Sequence, residues 1–266
     1  MKPTFLNHDI PLITSMVRAA APEKIKYLMD KSVSDGAEAF GIEFSLMKKE
    51  YRKPEVYKDL FSYANGLPVY VTNYRHAENE GKTDDILAKE LLELADCGAT
   101  LCDVMGDFFD IRLDEMAVNE VAIQKQMDLI CQLHEKGAEV IMSSHIFKFT
   151  PARRVVEIAL EQQRRGADIC KIVVGADNME QQIENLRIIN LLKSTLKIPF
   201  LFLSSGESHL MRRIGGEIGC CTYLCMAEYD EFSTNSYTYF PPLVKNIKAI
   251  RDNIRKENNY ESDTCK

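Results

Sequence analysis

The sequence predicts a single (β/α)8 barrel. Short apolar segments alternate eight times with longer amphipathic ones along the 266 residues. The short segments are apolar at nearly every position, which is typical of parallel strands covered by helices on both faces. Several amphipathic segments end in a glycine just before the next strand, which indicates a repeated helix-to-strand unit. Eight such units close naturally into a barrel.

The elements follow in order along the chain. Strands are predicted at 12–17, 39–44, 68–73, 100–105, 139–144, 169–174, 199–204 and 222–226. The helices between them have apolar residues at helical spacing, as at Ile123, Met127 and Ile130. They are predicted at about 23–35, 53–65, 83–96, 119–136, 151–165, 178–194, 209–217 and 242–256.

The helix ends support the same architecture. Gly36, Gly137 and Gly166 each stand at such an end and are followed by alanine. A doubly wound open sheet is the competing architecture, but it usually has fewer strands and a GxGxxG turn after the first strand, which this sequence lacks. We expect one barrel domain over 1–258 and a flexible polar tail over 259–266.

Composition and charge exclude several classes of protein. A net charge of −7 disfavours a nucleic-acid partner. No apolar run reaches the roughly 18 residues of a membrane span. The beginning of the chain has no apolar signal core, so we expect a cytoplasmic location. The eight scattered cysteines form no CxxC pair and are expected to be free thiols.

Polar side chains in or just after the strands are the candidate functional residues, because the active site of a barrel lies at the carboxyl ends of its strands. Each also has a structural alternative: a buried structural carboxylate, a satisfied core histidine or a solvated loop arginine. The candidates are Glu43, Arg75, Asp103, His145, Lys171, Ser204, Ser205 and Arg213.

Lys171 is the most informative candidate because it lies inside the apolar run ICKIVV. Lysine is rarely buried without a partner, and a structural lysine would need a buried carboxylate. Burial is expected to lower the pKa of such a lysine, which frees a nucleophilic amine that forms an imine with a ketone. His145, one strand earlier, is then placed to act as base and later as acid.

Three motifs resemble the type I 3-dehydroquinate dehydratases: SSHIFKFTP around His145, DICKIVV around Lys171, and RIGGE beginning at Arg213. Upstream, GIEFSL with Glu43 and YRHAENEG with Arg75 are similar to two further motifs of that family. The resemblance covers most of the chain and is sharpest over 139–219.

The resemblance implies a homodimeric barrel without metal or cofactor that dehydrates 3-dehydroquinate in aromatic biosynthesis or quinate breakdown. Lys171 would form the imine, His145 would act as acid and base, and Arg213 would bind the substrate carboxylate. Glu43 and Arg75 would bind ring hydroxyls. Ser233 and Ser236 are the nearest counterparts of the family's lid serine.

The sequence departs from the family at four places. Ser45 replaces an arginine, Met47 replaces an acidic residue, and Asn79 replaces the glutamate that would steady the histidine. In the segment 227–242 the lid glutamine is absent, and acidic residues such as Glu228 are expected to oppose an anionic substrate.

Three other interpretations stay open at this point. The chain could form an imine with another small hydroxy-keto acid, or it could bind a small acid without catalysis. A metal-dependent sugar isomerase would instead use Glu43, Asp103 and His145 as ligands of a divalent ion, with Lys171 as an unhelpful neighbour.

Overall fold

A computed structural model describes residues 3–206, 210–233 and 238–264. All eight predicted strands are present, and every pairing between them is parallel. Each begins and ends within one residue of its predicted position. They are β1 (Leu12–Val17), β2 (Ala39–Glu43), β3 (Val69–Thr72), β4 (Leu101–Met105), β5 (Glu139–His145), β6 (Ile169–Gly175), β7 (Phe200–Ser205) and β8 (Thr222–Met226).

The strands form one curled sheet in the order β7-β6-β5-β4-β3-β2-β1-β8, which confirms the predicted fold class. A short extra strand, β9 (Thr238–Tyr239), pairs with the free edge of β8. The Cys221 amide donates to the Phe200 carbonyl at 2.9 Å, so the start of β7 meets the residue just before β8. This contact brings the two ends of the sheet together on the N-terminal side.

Within the described ranges, eight α-helices alternate with the strands. Proline begins α1 and α2, where its missing N–H costs nothing, and Gly36 and Gly98 end α1 and α3 with φ of +99° and +117°. The last helix runs past residue 259, where the sequence predicts the flexible tail to begin. The helices are α1 (Pro22–Asp35), α2 (Pro54–Tyr63), α3 (Asp84–Cys97), α4 (Glu120–Glu135), α5 (Ala152–Arg164), α6 (Met179–Thr195), α7 (Leu210–Ile218) and α8 (Phe240–Thr264).

The N-terminal residues cover one end of the barrel interior. The Phe5 ring is buried and packs edge-on against Tyr70 of β3, with ring centroids 6.5 Å apart. The Phe5 amide donates to the Glu139 carboxylate at 2.8 Å, which fixes the segment at the start of β5. This segment therefore covers the interior on the N-terminal side of the strands.

The described residues can be compared with two sequence predictions, one on membrane spans and one on the cysteines. No helix in the described ranges is long and apolar enough to span a membrane. Seven of the cysteines lie in the described part of the chain, and all seven are free thiols.

Candidate active site

A cavity of about 470 Å³ opens at the carboxyl ends of the strands. Four of the predicted site residues line it: Glu43, Arg75, His145 and Lys171. They come from β2, the segment after β3, β5 and β6. A parallel barrel points the ends of all its strands to one mouth, so these residues, up to 128 positions apart in the sequence, face one space.

Lys171 lies at the floor of this cavity and is 3% exposed. Its ammonium nitrogen donates to the phenol oxygens of Tyr70 and Tyr74, both at 2.8 Å, and to Asp103 Oδ2 at 3.1 Å. Asp103 lies on β4 and the two tyrosines lie on and just after β3. The carboxylate that a buried lysine requires is therefore present in Asp103, which does not line the cavity itself but contacts the lysine that does.

Asp103 is the most enclosed charge in the site. Burial by itself would raise the pKa of this carboxyl, but the charge of Lys171 and hydrogen bonds from Ser143 and Tyr70 hold it below its usual value. Burial and the charge of Asp103 raise the pKa of Tyr74 well above its ordinary value. Tyr74 therefore keeps its proton and donates to Asp103 Oδ2 at 2.6 Å.

His145 lies at the end of β5, next to the lysine network. Its ring meets Tyr74 edge-on, with centroids 5.3 Å apart, and stacks on Phe147 at 5.8 Å. Its Nδ1 lies 2.9 Å from the carboxylate oxygen Oε2 of Glu115, a residue of the loop between β4 and α4. With Nδ1 occupied, Nε2 is the nitrogen that remains for a ligand in the cavity.

Glu43 forms a second charged cluster on the opposite wall. Its carboxylate pairs with Arg18 at 3.1 Å and His76 at 2.9 Å, and it accepts a hydrogen bond from Ser45 at 3.2 Å. Burial alone would raise the pKa of Glu43, but the hydrogen bond from His76 and the charge of Arg18 hold it below its usual value. Glu43 is therefore an ionised acceptor flanked by donors.

Arg75 lines the cavity, but its guanidinium is engaged on the protein side. Both ends of the Asp84 carboxylate accept from it at 2.8 Å, and Asp107 accepts at 2.7 Å. A role of Arg75 in binding ring hydroxyls stays a prediction. In this arrangement Arg75 also ties the loop after β3 to the start of α3 and to the loop after β4.

The two neighbouring arginines of α7 face different ways. Arg212 is buried and lines the cavity, with Nε donating to the Ser204 carbonyl at 3.0 Å, whereas Arg213 is exposed and lies outside the lining. Successive residues on a helix are rotated by about 100°, so Arg213 lies about 100° beyond Arg212, away from the buried face that Met211, Arg212, Gly215 and Gly216 share. The motif spacing selected Arg213, but the helical face occupied by Met211 and Gly215 selects Arg212.

Ser233, one of the two predicted lid serines, does not line the cavity. Ser233 donates to the Glu228 carbonyl at 3.3 Å and accepts from the Asp230 amide at 2.6 Å, so it stabilises its own turn. Ser236 lies outside the described residues. The Glu228 carboxylate pairs with Lys24 at 2.8 Å and Lys31 at 3.1 Å on α1, so its charge is neutralised there rather than presented to a ligand.

The metal alternative finds no support in the geometry. No group of three potential ligands from His, Cys, Asp and Glu converges among the described residues. The three groups proposed as ligands each have another partner: Glu43 has Arg18, Asp103 has Lys171, and His145 has Glu115.

Sequence reasoning missed several lining residues. Arg18 directly follows β1, and the rule that selected Arg75 would have found it. Tyr74 follows β3 in the same way. Glu115 had no such signal, because it lies ten residues past the end of β4 in an irregular loop.

The fold and the site define a class of protein: (β/α)8-barrel enzymes with a buried lysine at the carboxyl ends of the strands. A family model described as type I 3-dehydroquinase matches residues 16–228. The chain therefore belongs to the type I 3-dehydroquinase family, which confirms the resemblance seen in the motifs.

Individual relatives agree with this assignment. A 3-dehydroquinate dehydratase of Lactiplantibacillus plantarum is 26% identical over 221 residues, which is 80% of this chain and 77% of that protein. Another, of Alkaliphilus oremlandii, is 37% identical over 92 residues, but this match spans only 34% of this chain and 36% of that protein. The crystal structure of the type I 3-dehydroquinate dehydratase of Clostridium difficile, with covalently modified comenic acid, shares the fold with a TM-score of 0.76 at 19% identity, covering 92% of this chain and 94% of that one.

Proposed function

We propose that this protein dehydrates 3-dehydroquinate to 3-dehydroshikimate through an imine on Lys171. The observation that carries the proposal is a buried lysine at the floor of the cavity, beside a histidine, in a chain of the type I 3-dehydroquinase family. The relatives from L. plantarum and A. oremlandii are named for this activity.

The residues divide the chemistry between them. Lys171 first releases one ammonium proton to water in the cavity, and its neutral amine then adds to the ketone. Loss of water from this adduct gives an iminium that acidifies the neighbouring carbon. His145 removes a proton from that carbon and returns it to the departing hydroxyl as water leaves. Hydrolysis then frees the product and restores Lys171. Tyr70, Tyr74 and Asp103 hold the lysine nitrogen at one position, so little reorganisation is needed when the ketone arrives.

Substrate recognition is assigned to the other cavity walls. We assign the carboxylate of the substrate to Arg212 in place of Arg213, because Arg212 lines the cavity and Arg213 does not. A guanidinium fork matches two carboxylate oxygens. The Glu43 cluster, with Arg18 and His76, is suited to ring hydroxyls because it contains both donors and an ionised acceptor. The proposal includes a cytoplasmic homodimer, and sedimentation equilibrium would show whether the chain forms a dimer in solution.

Borohydride trapping tests the proposal directly. Incubation with 3-dehydroquinate and borohydride should add the mass of the reduced ligand to Lys171, located by peptide mass spectrometry. Lys171→Met should abolish both the adduct and turnover, whereas Lys148→Met, at an exposed lysine near the mouth, should change neither. Turnover without any adduct on Lys171 would remove the imine mechanism.

A second candidate function is separated by the same assay. The replacements Ser45 and Met47 alter the part of the family pattern that would contact the substrate. If other small hydroxy-keto acids form the adduct and 3-dehydroquinate does not, the chain is an imine-forming lyase with a different substrate.

A further inference from the structure

Glu115 lies in the site, although the sequence around it gives no indication of a functional role. Its Oε2 accepts two hydrogen bonds from His145, one from the backbone amide at 2.7 Å and one from the ring Nδ1 at 2.9 Å. The ring and the backbone of one residue thus converge on a single carboxylate oxygen. The side chain of His145 is fixed relative to its own strand end.

The loop that presents Glu115 is clamped from several sides. The Glu115 carbonyl accepts from Ser144 Oγ at 2.9 Å. Two residues further on, the Ala117 carbonyl accepts from the buried Arg165 guanidinium at 2.7 Å, and the Ala117 amide donates to the Gly106 carbonyl at 2.9 Å. Arg165 and Gly106 therefore hold this end of the loop against β4.

Glu115 itself has φ of +45°, a conformation that is unfavourable for a residue with a side chain and persists only where its surroundings impose it. Its carbonyl approaches β4 so closely that a Cβ on Gly106 would lie 2.4 Å from it. A buried glycine and a strained glutamate together bring this carboxylate to His145. Such strain is common at functional sites.

In the family pattern a glutamate at the position of Asn79 would support the histidine, but Asn79 makes other contacts here. Asn79 is buried, donates to the Asn73 side chain at 2.8 Å and to the Tyr74 carbonyl at 2.7 Å, and accepts from Lys82 at 2.9 Å. These bonds stabilise the loop after β3, and none of them involves His145. The histidine is supported from the β4–α4 loop instead.

We propose that Glu115 is the positioning residue of His145, an inference that rests on the proposed function. The carboxylate keeps the proton of neutral His145 on Nδ1, so that Nε2 faces the cavity as the base, and it stabilises the imidazolium that forms after proton abstraction. Glu115 does not contact the reacting atoms in this account; it acts through His145.

The test compares three variants in steady-state assays with 3-dehydroquinate. Glu115→Ala removes the acceptor and the charge, and kcat should fall about 10–100-fold, the range for a lost partner of a functional histidine, with KM changed less than about twofold. Glu115→Gln keeps an acceptor for Nδ1–H and should recover part of the loss. Asp114→Asn, at the neighbouring residue paired with Arg154, should stay near the wild-type value. Equal losses in Asp114→Asn and Glu115→Ala, or wild-type kcat in Glu115→Ala, would overturn the inference.

A second readout does not depend on activity. Nitrogen-15 NMR of the imidazole rings should show the Nδ1–H form of His145 in the wild type and in Glu115→Gln, and a shift toward Nε2–H in Glu115→Ala. If the wild type fails to dehydrate 3-dehydroquinate, the proposed function fails while this measurement still decides the role of Glu115. An unchanged tautomer in Glu115→Ala would overturn it.

Discussion

The pair formed by Lys171 and Asp103 gives the sharpest prediction. Lys171→Met abolishes the proposed imine and fills a similar volume, so from sequence alone the variant should keep the fold at little cost. The structure adds a consequence. The Asp103 side chain is fully buried, and the substitution leaves its charge without the ammonium 3.1 Å away.

The magnitude follows from what remains around Asp103. Removal of one member of a buried ion pair costs about 3–5 kcal/mol. The hydroxyls of Tyr70, Tyr74 and Ser143 still donate to the carboxylate, so we expect the lower end, about 3 kcal/mol less stability for Lys171→Met. Asp103→Asn in the same background removes the isolated charge and should restore most of that loss.

Urea unfolding of the wild type, both single variants and the double variant measures this coupling as a double-mutant cycle. The slope of the unfolding free energy with urea should stay constant, and the midpoint should drop in Lys171→Met and recover in the double variant. The reasoning is refuted if Lys171→Met unfolds within about 0.5 kcal/mol of the wild type, the scatter expected for independent sites. A double variant no more stable than Lys171→Met would refute it equally.

Two further predictions concern the cavity wall and the segment after β8. Arg212→Ala should lower kcat/KM for 3-dehydroquinate, with a loss of about 2–5 kcal/mol in transition-state stabilisation. Arg213→Ala should leave kcat/KM near the wild-type value. The reverse result would show that Arg213, and not Arg212, binds the substrate carboxylate. The Lys24 and Lys31 ammonium groups lower the pKa of Glu228 from 4.5 to about 2. Because the folded-state pKa is the lower one, the stabilisation is complete above about pH 4.5 and is lost as the pH falls toward 2. Glu228→Gln should therefore be less stable than the wild type by about 0.2–1 kcal/mol per lost pair at pH 7 in urea titrations, with the difference closing near pH 2; a difference that does not vary with pH would exclude this charge effect.

Local patterns were sufficient for the barrel. The apolar runs at 169–174 and 222–226 and the glycines after the helices report burial on both faces and helix ends, which are properties of a few consecutive residues. Such patterns predicted both ends of β1 and of β8 correctly. The order of the strands then followed from the right-handed connection of parallel units. The strand ends also selected Glu43, His145 and Lys171, which the structure brings into the lining of one cavity; their roles stay predictions.

Contacts between distant segments lay beyond the sequence. Whether Arg212 or Arg213 enters the cavity depends on the rotation of α7 about its axis, which the motif spacing does not record. The arrival of Glu115 at His145 depends on an irregular loop held by Arg165, the residue directly after α5. Irregular backbone has no period from which a side-chain direction can be inferred.

The sequence by itself determined the alternation of strands and helices, the family, and the placement of one lysine inside the barrel. Only the tertiary structure decided which groups surround that lysine and which carboxylate supports the histidine. The physical reason is range: burial and periodicity are recorded in neighbouring residues, whereas an ion pair between β4 and β6, or a loop clamped across three elements, exists only after the chain has closed on itself.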